Sequence, residues 1–291
     1  MSQINVNVVA PLGYTGSLTG NNNNVQIVDQ YGDVAILAIP EIGHISMGGS
    51  NPVSTTTGCI SIGNFAGASI TGNGNGNAVI IGNNAMSNSS QTGGNIAIGD
   101  AALQNATGIL GFGNVAIGQT AGATITNGQR NTIIGYGSGT NPIPLTTGNN
   151  NTIIGSLAYT ASVNANNSVT LGNTAITVLR CAVTSITSLS DARDKKDVEP
   201  IELGLDFVKE LNPVKFVWND REENGKHDIA DSGFIAQDLK ALEDKHNVAD
   251  VLKLVYDENP EKLEASYGRL IPVLVQAIKD LAAKVEQLEN K

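Results

Sequence analysis

A four-residue pattern, apolar–any–apolar–Gly, recurs through the first half of this chain and limits its possible folds more than any other feature. It reads ISIG (60 to 63), VIIG (79 to 82), IAIG (96 to 99), VAIG (115 to 118), TIIG (132 to 135), TIIG (152 to 155) and VTLG (169 to 172). Its glycines are separated by 19, 17, 19, 17, 20 and 17 residues, the regularity of a coil that adds one short strand per turn. ISMG (45 to 48) opens the series as an eighth copy. Each copy predicts a strand with alternate side chains facing in, ended by a glycine where the backbone turns without a Cβ. Three residues after most of these glycines stands a small side chain (Ala66, Ala85, Ala102, Ala121, Ser138, Ala158, Ala175), which suits a tight stack. GNGNGN, TNGQRN and TGNNN join the copies, with Asn and Gly supplying left-handed turns and Asn bonding neighbouring backbone. The expected fold is mainly β, a repetitive parallel β-roll or β-solenoid over residues 43–175.

Such a coil is thin, because each turn contributes two or three apolar side chains, and its faces need a cover. Three copies packed side by side in closed symmetry supply one, giving a trimeric rod. Charge agrees with this, since residues 1–189 hold no Lys, two Arg (Arg130, Arg180) and four acids (Asp29, Asp33, Glu41, Asp100). All other charges follow Ser190, and the total is −10. No basic footprint for nucleic acid or an anionic membrane is present. Cys59 and Cys181 lack metal or redox spacing and read as two small hydrophobic side chains. Met1 is followed by SQINVNVVAP, with no basic start and no long apolar core. No secretory leader, no membrane insertion and synthesis in a cytosol are therefore expected. Residues 1–42 lack the repeat; NVNVVAP and DVAILAIP read as strands of an attachment segment, and 176–189 as an extended, intertwined β neck.

From 190 to 291 the sequence is ordinary and charged, and predicts a small α+β domain. A helix from about Ile201 to Leu211 is stopped by Pro213, a strand runs from Val214 to Trp218, and DSGFIAQDLKALEDKHN is a strand entering a helix. A hairpin turns at Glu258 to Pro260. Tyr267, Ile271, Leu274, Ile278, Leu281, Val285 and Leu288 then alternate spacings of 4 and 3, a heptad series predicting an oligomeric coiled-coil helix over 267–291. The plain alternative is an amphipathic helix lying on its own domain.

At the seam lies SDARDK, 190 to 195, with a hydroxyl and an amine five residues apart. A serine becomes a nucleophile when a base takes its proton, and a lysine acts as that base when burial or nearby cations favour its neutral form. Arg193 and Lys196 are the candidate cations, and Asp194 is a candidate ion-pair partner of Lys195. Plain readings compete: Ser190 as a turn cap, Lys195 as a solvated charge. Attack by Ser190 on the Leu189 carbonyl passes through a five-membered ring, whereas cutting between Ser190 and Asp191 by the same hydroxyl needs a four-membered one. A neighbouring chain's serine removes that constraint, so the bond among Leu189, Ser190 and Asp191 stays open. No metal or cofactor is expected: His44, His227 and His246 lack ligand spacing, GNGNGN lacks the Walker order, and Trp218 reads as core.

The repeat region resembles the β-roll heads of trimeric adhesins. SDARDK (190 to 195), LNPVKFVW (211 to 218), SGFIAQDL (232 to 239) and YGRLIPVLVQAIKDLAAKVEQLE (267 to 289) resemble the C-terminal intramolecular chaperone auto-processing domain of bacteriophage tailspikes and tail fibres, also known from phage endosialidases and the myelin regulatory factor. That resemblance implies a domain that helps three chains assemble and then cuts itself off, with Ser190 as nucleophile and Lys195 as its partner. It implies a homotrimeric virion protein, assembled in the host cytoplasm, with other tail or baseplate proteins and a host-surface glycan or receptor as partners. Two other classes are a polysaccharide-degrading tailspike, disfavoured because residues 43–175 hold the single carboxylate Asp100 where glycoside hydrolysis normally uses a pair, and a bacterial trimeric surface adhesin.

Overall fold

The computed structural model describes residues 18–19, 25–28, 34–39, 44–47, 58–70, 77–90, 93–107, 112–183, 185–219 and 228–291. The chain divides into two compact units, Met1–Asn173 and Thr174–Lys291. Unit one is built on a single sheet of eleven strands whose spatial order is the chain order. β1 (Leu18–Thr19), β2 (Val25–Val28), β3 (Val34–Ile39) and β4 (His44–Met47) pair antiparallel. β3 is the strand read in DVAILAIP, while NVNVVAP lies outside the described residues.

From β4 to β11 every pairing is parallel. β5 (Ile60–Ile62), β6 (Val79–Ile81), β7 (Ile96–Ile98), β8 (Val115–Ile117), β9 (Thr132–Ile134), β10 (Thr152–Ile154) and β11 (Val169–Leu171) are the predicted copies, each stacked on the next without a register shift. This is a β-solenoid, and ISMG supplies β4 as its first rung. From β5 to β10 the middle residue faces the interior: Ser61, Ile80, Ala97, Ala116, Ile133 and Ile153 are buried. The apolar pair that defines the pattern lies on the opposite face, half-buried to exposed, with Ile117 at 37%, Ile154 at 39% and Val169 at 71%. A strand shows its odd and even positions to opposite sides, so the two outer apolar residues share one face.

The glycines allow this close stacking. Gly63, Gly118 and Gly135 sit at φ near +130°, and a Cβ on any of them would come within 2.5 Å of the next rung's glycine carbonyl oxygen. The small residues that follow fill the interior; Ala66, Ala85, Ala102, Ala121, Ser138 and Ala158 are buried. Ala175 is exposed, a departure from the prediction, because no further rung follows β11 to cover it. Core volume is traded between neighbouring rungs. Leu103 is fully buried beside the Ala97 and Ala116 rungs, whereas Gly122 leaves room for Ile133.

A buried amide column runs parallel to the sheet. Asn114 N–H donates to Asn95 Oδ1 (2.8 Å), Asn131 N–H to Asn114 Oδ1 (3.0 Å), Asn151 N–H to Asn131 Oδ1 (3.0 Å), and Ser168 N–H and Oγ–H to Asn151 Oδ1 (3.1 and 2.7 Å). The Nδ2 groups of Asn114, Asn131 and Asn151 donate to Gly128, Gly148 and Ala165 carbonyls. Each amide satisfies backbone at the corner before a strand, where the turn interrupts the ladder. Left-handed residues precede these corners as predicted, at Asn150 and Asn167, and also at Arg130.

Unit two begins without regular structure. Among the described residues of 174–191 no strand forms, so the expected β neck is not seen in the single chain; a strand needs a neighbour to pair with. Cys59 is buried in the solenoid core, but Cys181 is exposed on this segment and is no core side chain. α1 (Leu205–Glu210) is shorter than predicted because Gly204 is its N-cap residue. β12 (Val214–Val217) pairs antiparallel with β13 (Ala230–Gly233), which leads into α2 (Ala236–His246). α2 ends at left-handed Asn247, α3 (Ala249–Leu252) follows, and β14 (Val255–Tyr256) pairs with β15 (Glu264–Ala265) as the predicted hairpin. Trp218 is exposed at 38%, with Nε1–H donating to Asp231 Oδ2 (3.1 Å); it is not core.

α4 (Ile271–Glu289) spans 19 residues, about 28 Å at 1.5 Å per residue. Phe207, Leu239, Leu242, Leu252, Leu254, Leu270 and Val273 form the core of this unit. Asp280 on α4 caps α1 by accepting Leu205 N–H at 3.0 Å, and a Cβ at Gly204 would collide with that carboxylate. This backbone bond, with the Gln276 amide beside it, holds the Asp280 carboxyl below the usual range. Gly204 and Asp280, far apart in sequence, thus fix the angle at which α1 meets α4.

Replacing Gly118 by Ala forces a side chain into a Gly-only conformation against the Gly135 carbonyl, and is expected to destabilise the chain by at least about 3 kcal/mol. Asn131→Ala leaves the Gly148 carbonyl and the Asn151 N–H at the next corner without their side-chain partner, for a loss of about 2 kcal/mol. Urea midpoints, followed by circular dichroism beside the exposed control Asn166→Ala, check both.

Candidate functional site

SDARDK forms a single capped turn. Asp191 has an extended backbone (φ −66°, ψ 135°) and is the N-cap of a 3-10 turn over Ala192–Asp194. Its Oδ1 accepts the Arg193 backbone N–H at 2.9 Å and Arg193 Nε–H at 3.0 Å, and its Oδ2 accepts an Arg193 Nη–H at 2.6 Å. Asp194 N–H reaches the Asp191 carbonyl and Lys195 N–H the Ala192 carbonyl, each at 3.2 Å. The chain reverses within four residues, and positions 190 and 195 meet.

Their side chains touch. Lys195 Nζ lies 2.6 Å from Ser190 Oγ and 3.3 Å from the Ser190 carbonyl oxygen. Aspartate takes the capping role considered for Ser190, which leaves the Ser190 hydroxyl to Lys195. The carboxylate paired in this turn is Asp191 rather than Asp194, and Arg193 spends its guanidinium on Asp191 instead of standing as a bare cation beside Lys195. The Arg193 side chain holds the Asp191 carboxyl below its ordinary range, and the Asp191 carboxylate raises the Arg193 guanidinium. Asp191 as cap was readable from its type, since Asp is a preferred N-cap residue; its bidentate partner two positions on was not.

The turn stands in the open. Every described residue from 185 to 200 is exposed, and Ile186 and Leu189 are 98% and 99% exposed. The single chain brings Ser190 and Lys195 together and covers neither.

α4 makes the second candidate surface. Its buried side is Val273 and Ala277, preceded by Leu270, and these pack on the unit's own core. Ile271, Leu274, Ile278, Leu281, Val285 and Leu288 lie on a neighbouring face about 100° round the helix and are all exposed. From Leu281 on, every residue of α4 is exposed. Tyr267 sits on the 3-10 turn before the helix, where its hydroxyl donates to the Phe234 carbonyl (3.1 Å) and accepts Phe234 N–H (3.2 Å). The helix therefore lies on its own domain through one face and leaves the heptad face unused. Among the described residues no helix is long and apolar enough to cross a membrane, and no cluster of three or more His, Cys, Asp or Glu side chains is placed to hold a metal ion.

Residues 190–248 match the protein family described as chaperone of endosialidase, Peptidase S74. The match begins on Ser190. The chain is also similar to the long tail fiber protein Gp37 of Enterobacteria phage K3, 34% identical over 104 residues, which cover 35% of this chain and 8% of that protein. Gp37 of Enterobacteria phage T2 is again 34% identical over 104 residues, 35% of this chain and 7% of its own length. The matched stretch is thus under a tenth of either long tail fiber. No solved structure matches the chain. A β-solenoid followed by a segment that matches the endosialidase-chaperone family, with likeness to long tail fibers, fits a phage tail fibre with a C-terminal chaperone domain.

Asp191 is held ionised by Arg193, so the clamp is complete at neutral pH and opens as pH falls through the lowered Asp191 value. In Arg193→Ala the Asp191 carboxyl is expected to titrate at higher pH than in the wild type. Carboxyl-carbon NMR of the chain labelled at aspartate reads this directly.

Proposed function

We propose that this chain is a homotrimeric phage tail-fibre component whose C-terminal unit, residues 190–291, acts as a trimerisation chaperone and releases itself by serine–lysine self-cleavage beside Ser190. The observation that carries the reading is the 2.6 Å approach of Lys195 Nζ to Ser190 Oγ at the first residue of the chaperone match. In the working site neutral Lys195 takes the Ser190 Oγ proton, and Oγ attacks a peptide carbonyl carbon to form a tetrahedral adduct. The adduct expels the amine, which takes the proton from Lys195, and water hydrolyses the resulting ester. The scissile bond is Leu189–Ser190 or Ser190–Asp191.

Assembly supplies what the single chain lacks. A lysine base needs cover from water, and the dyad of one chain is exposed. Three apolar surfaces ask for a partner at once: the outer faces of the solenoid strands, the bare Ile186 and Leu189 beside the dyad, and the heptad face of α4. Two further copies of the same chain cover all three, with residues 1–42 as the attachment segment, 43–175 as the rod, 176–189 as the neck and 267–291 as a coiled coil. Cleavage then follows correct assembly, and the trimeric rod is left kinetically stable without its chaperone. Other tail or baseplate proteins and a host-surface glycan or receptor enter as partners through the likeness to long tail fibers.

Denaturing mass spectrometry of the freshly expressed chain tests the chemistry. The wild type is expected to split beside residue 190 while Ser190→Ala and Lys195→Ala stay whole, and the fragment carrying Ser190 identifies the bond. A whole wild type in a folded oligomer would sink self-cleavage and leave an uncut assembly domain. For assembly, Leu281→Asp places a charge on the heptad face but not on the face packed against Phe207 and Leu270. It is expected to reduce trimer to monomer in native mass spectrometry, with helix content retained and cleavage lost. The same charge at exposed Lys279 should change neither.

A further inference from the structure

We propose that Asp191 is the positioning residue of the Ser190–Lys195 pair: with Arg193 as its counter-ion, its carboxylate winds the turn that sets Lys195 Nζ against Ser190 Oγ. This rests on the self-cleavage reading above and assigns Asp191 and Arg193 a part in it.

Two side chains five residues apart on an extended chain stand about 17 Å from each other. Bringing them to 2.6 Å requires a reversal, and something must hold it. Packing does not, because no residue of the turn is buried and the chain is exposed on both sides of it. Backbone closure is slight: two bonds of 3.2 Å over a three-residue 3-10 turn, a length at which helical turns are not self-sustaining. The Asp191 carboxylate supplies the rest. One oxygen accepts both the turn's own N–H and Arg193 Nε–H, the other accepts an Arg193 Nη–H, so cap and ion pair act on the same group.

The shape of arginine suits this task. Its planar guanidinium meets a carboxylate through two nitrogens at a fixed angle, so Asp191 is locked in the rotamer that caps the turn. An isolated exposed ion pair is worth little. Here it orients an acceptor already bonded to backbone, in a segment otherwise held by two 3-10 bonds and the Lys195–Ser190 contacts themselves. Arg193 so engaged neutralises Asp191, and its contribution to Lys195 is geometric.

The test is the self-cleavage rate of the full-length chain after assembly, over a pH series, for Asp191→Asn, Asp191→Ala, Arg193→Ala and Arg193→Lys, with native mass confirming the wild-type oligomer. Asp191→Ala and Arg193→Ala are expected to slow cleavage about tenfold or more, the order of effect that loss of a cap and of close approach produces. Asp191→Asn keeps a capping oxygen and is expected to fall between Asp191→Ala and the wild type. In Arg193→Lys, which keeps both charges, the pH at half-maximal rate should stay at the wild-type value while the plateau falls, because closeness is lost and not basicity. Wild-type rates in both alanine variants overturn the proposal, as does a shifted half-maximal pH with an unchanged plateau. Should an alanine variant fail to assemble, Arg193→Lys decides: it keeps the charge and loses the fork, and cleavage at the wild-type rate counts against the proposal. Ser190→Ala separates the two readings. If it is cut like the wild type, the self-cleavage reading fails; if it stays whole while the clamp variants cut normally, only the positioning role fails.

Discussion

The close approach of one glycine to the next governs unit one. With Gly63, Gly118 and Gly135 set against the carbonyl of the following rung, each coil drops onto its neighbour at the spacing of hydrogen-bonded strands. That single spacing makes the rest possible. Strands pair without register shift, the amide of Asn131 reaches Asn114 and Asn151 alike, and the small interior residues form a column. A side chain at the glycine row would spread the rungs, and every one of these bonds would lengthen together.

Tight stacking has a cost, because an interior lined by Ala, Ser and a few Ile buries little apolar area per rung. The pattern's apolar pairs are left on the outer face. Unit two repeats the situation on a helix, where Val273 and Ala277 bury α4 on its own core and the heptad residues stay bare. Each unit folds with its own residues and keeps an apolar surface in reserve. On the proposed reading, copies of the same chain cover these surfaces, and a turn exposed in one chain and covered in an assembly would make cleavage a report on assembly.

The SDARDK turn is the opposite case, since local bonds define it without help from packing. Asp191 caps, Arg193 clamps, and Ser190 meets Lys195 through main-chain and side-chain bonds inside six residues. Several hydrogen bonds act there on one group, the carboxylate of Asp191. The hydroxyl and the amine therefore meet in the single chain although neither is covered.

Much of this was legible in the amino-acid order, and for a physical reason. Repeats, caps and heptads are short-range: the glycine spacing marked β5 to β11, ISMG marked β4, and the 4 and 3 alternation marked α4. The serine and lysine of SDARDK were visible as types, and the turn that joins them is itself local. Other features depended on residues far apart in the chain. The interior is shared between rungs, with buried Leu103, Ile125 and Ile133 meeting around Gly122. The exposure of Ala175, Trp218 and Cys181, and the start of α1 where Asp280 accepts Leu205 N–H, likewise show only in the folded chain. Sequence alone determined the period, the elements and the close pair of Ser190 and Lys195, because bonds between near neighbours set them. Tertiary structure alone decided which apolar face is spent inside the chain and which is left exposed, because that choice depends on the volumes that distant residues bring together.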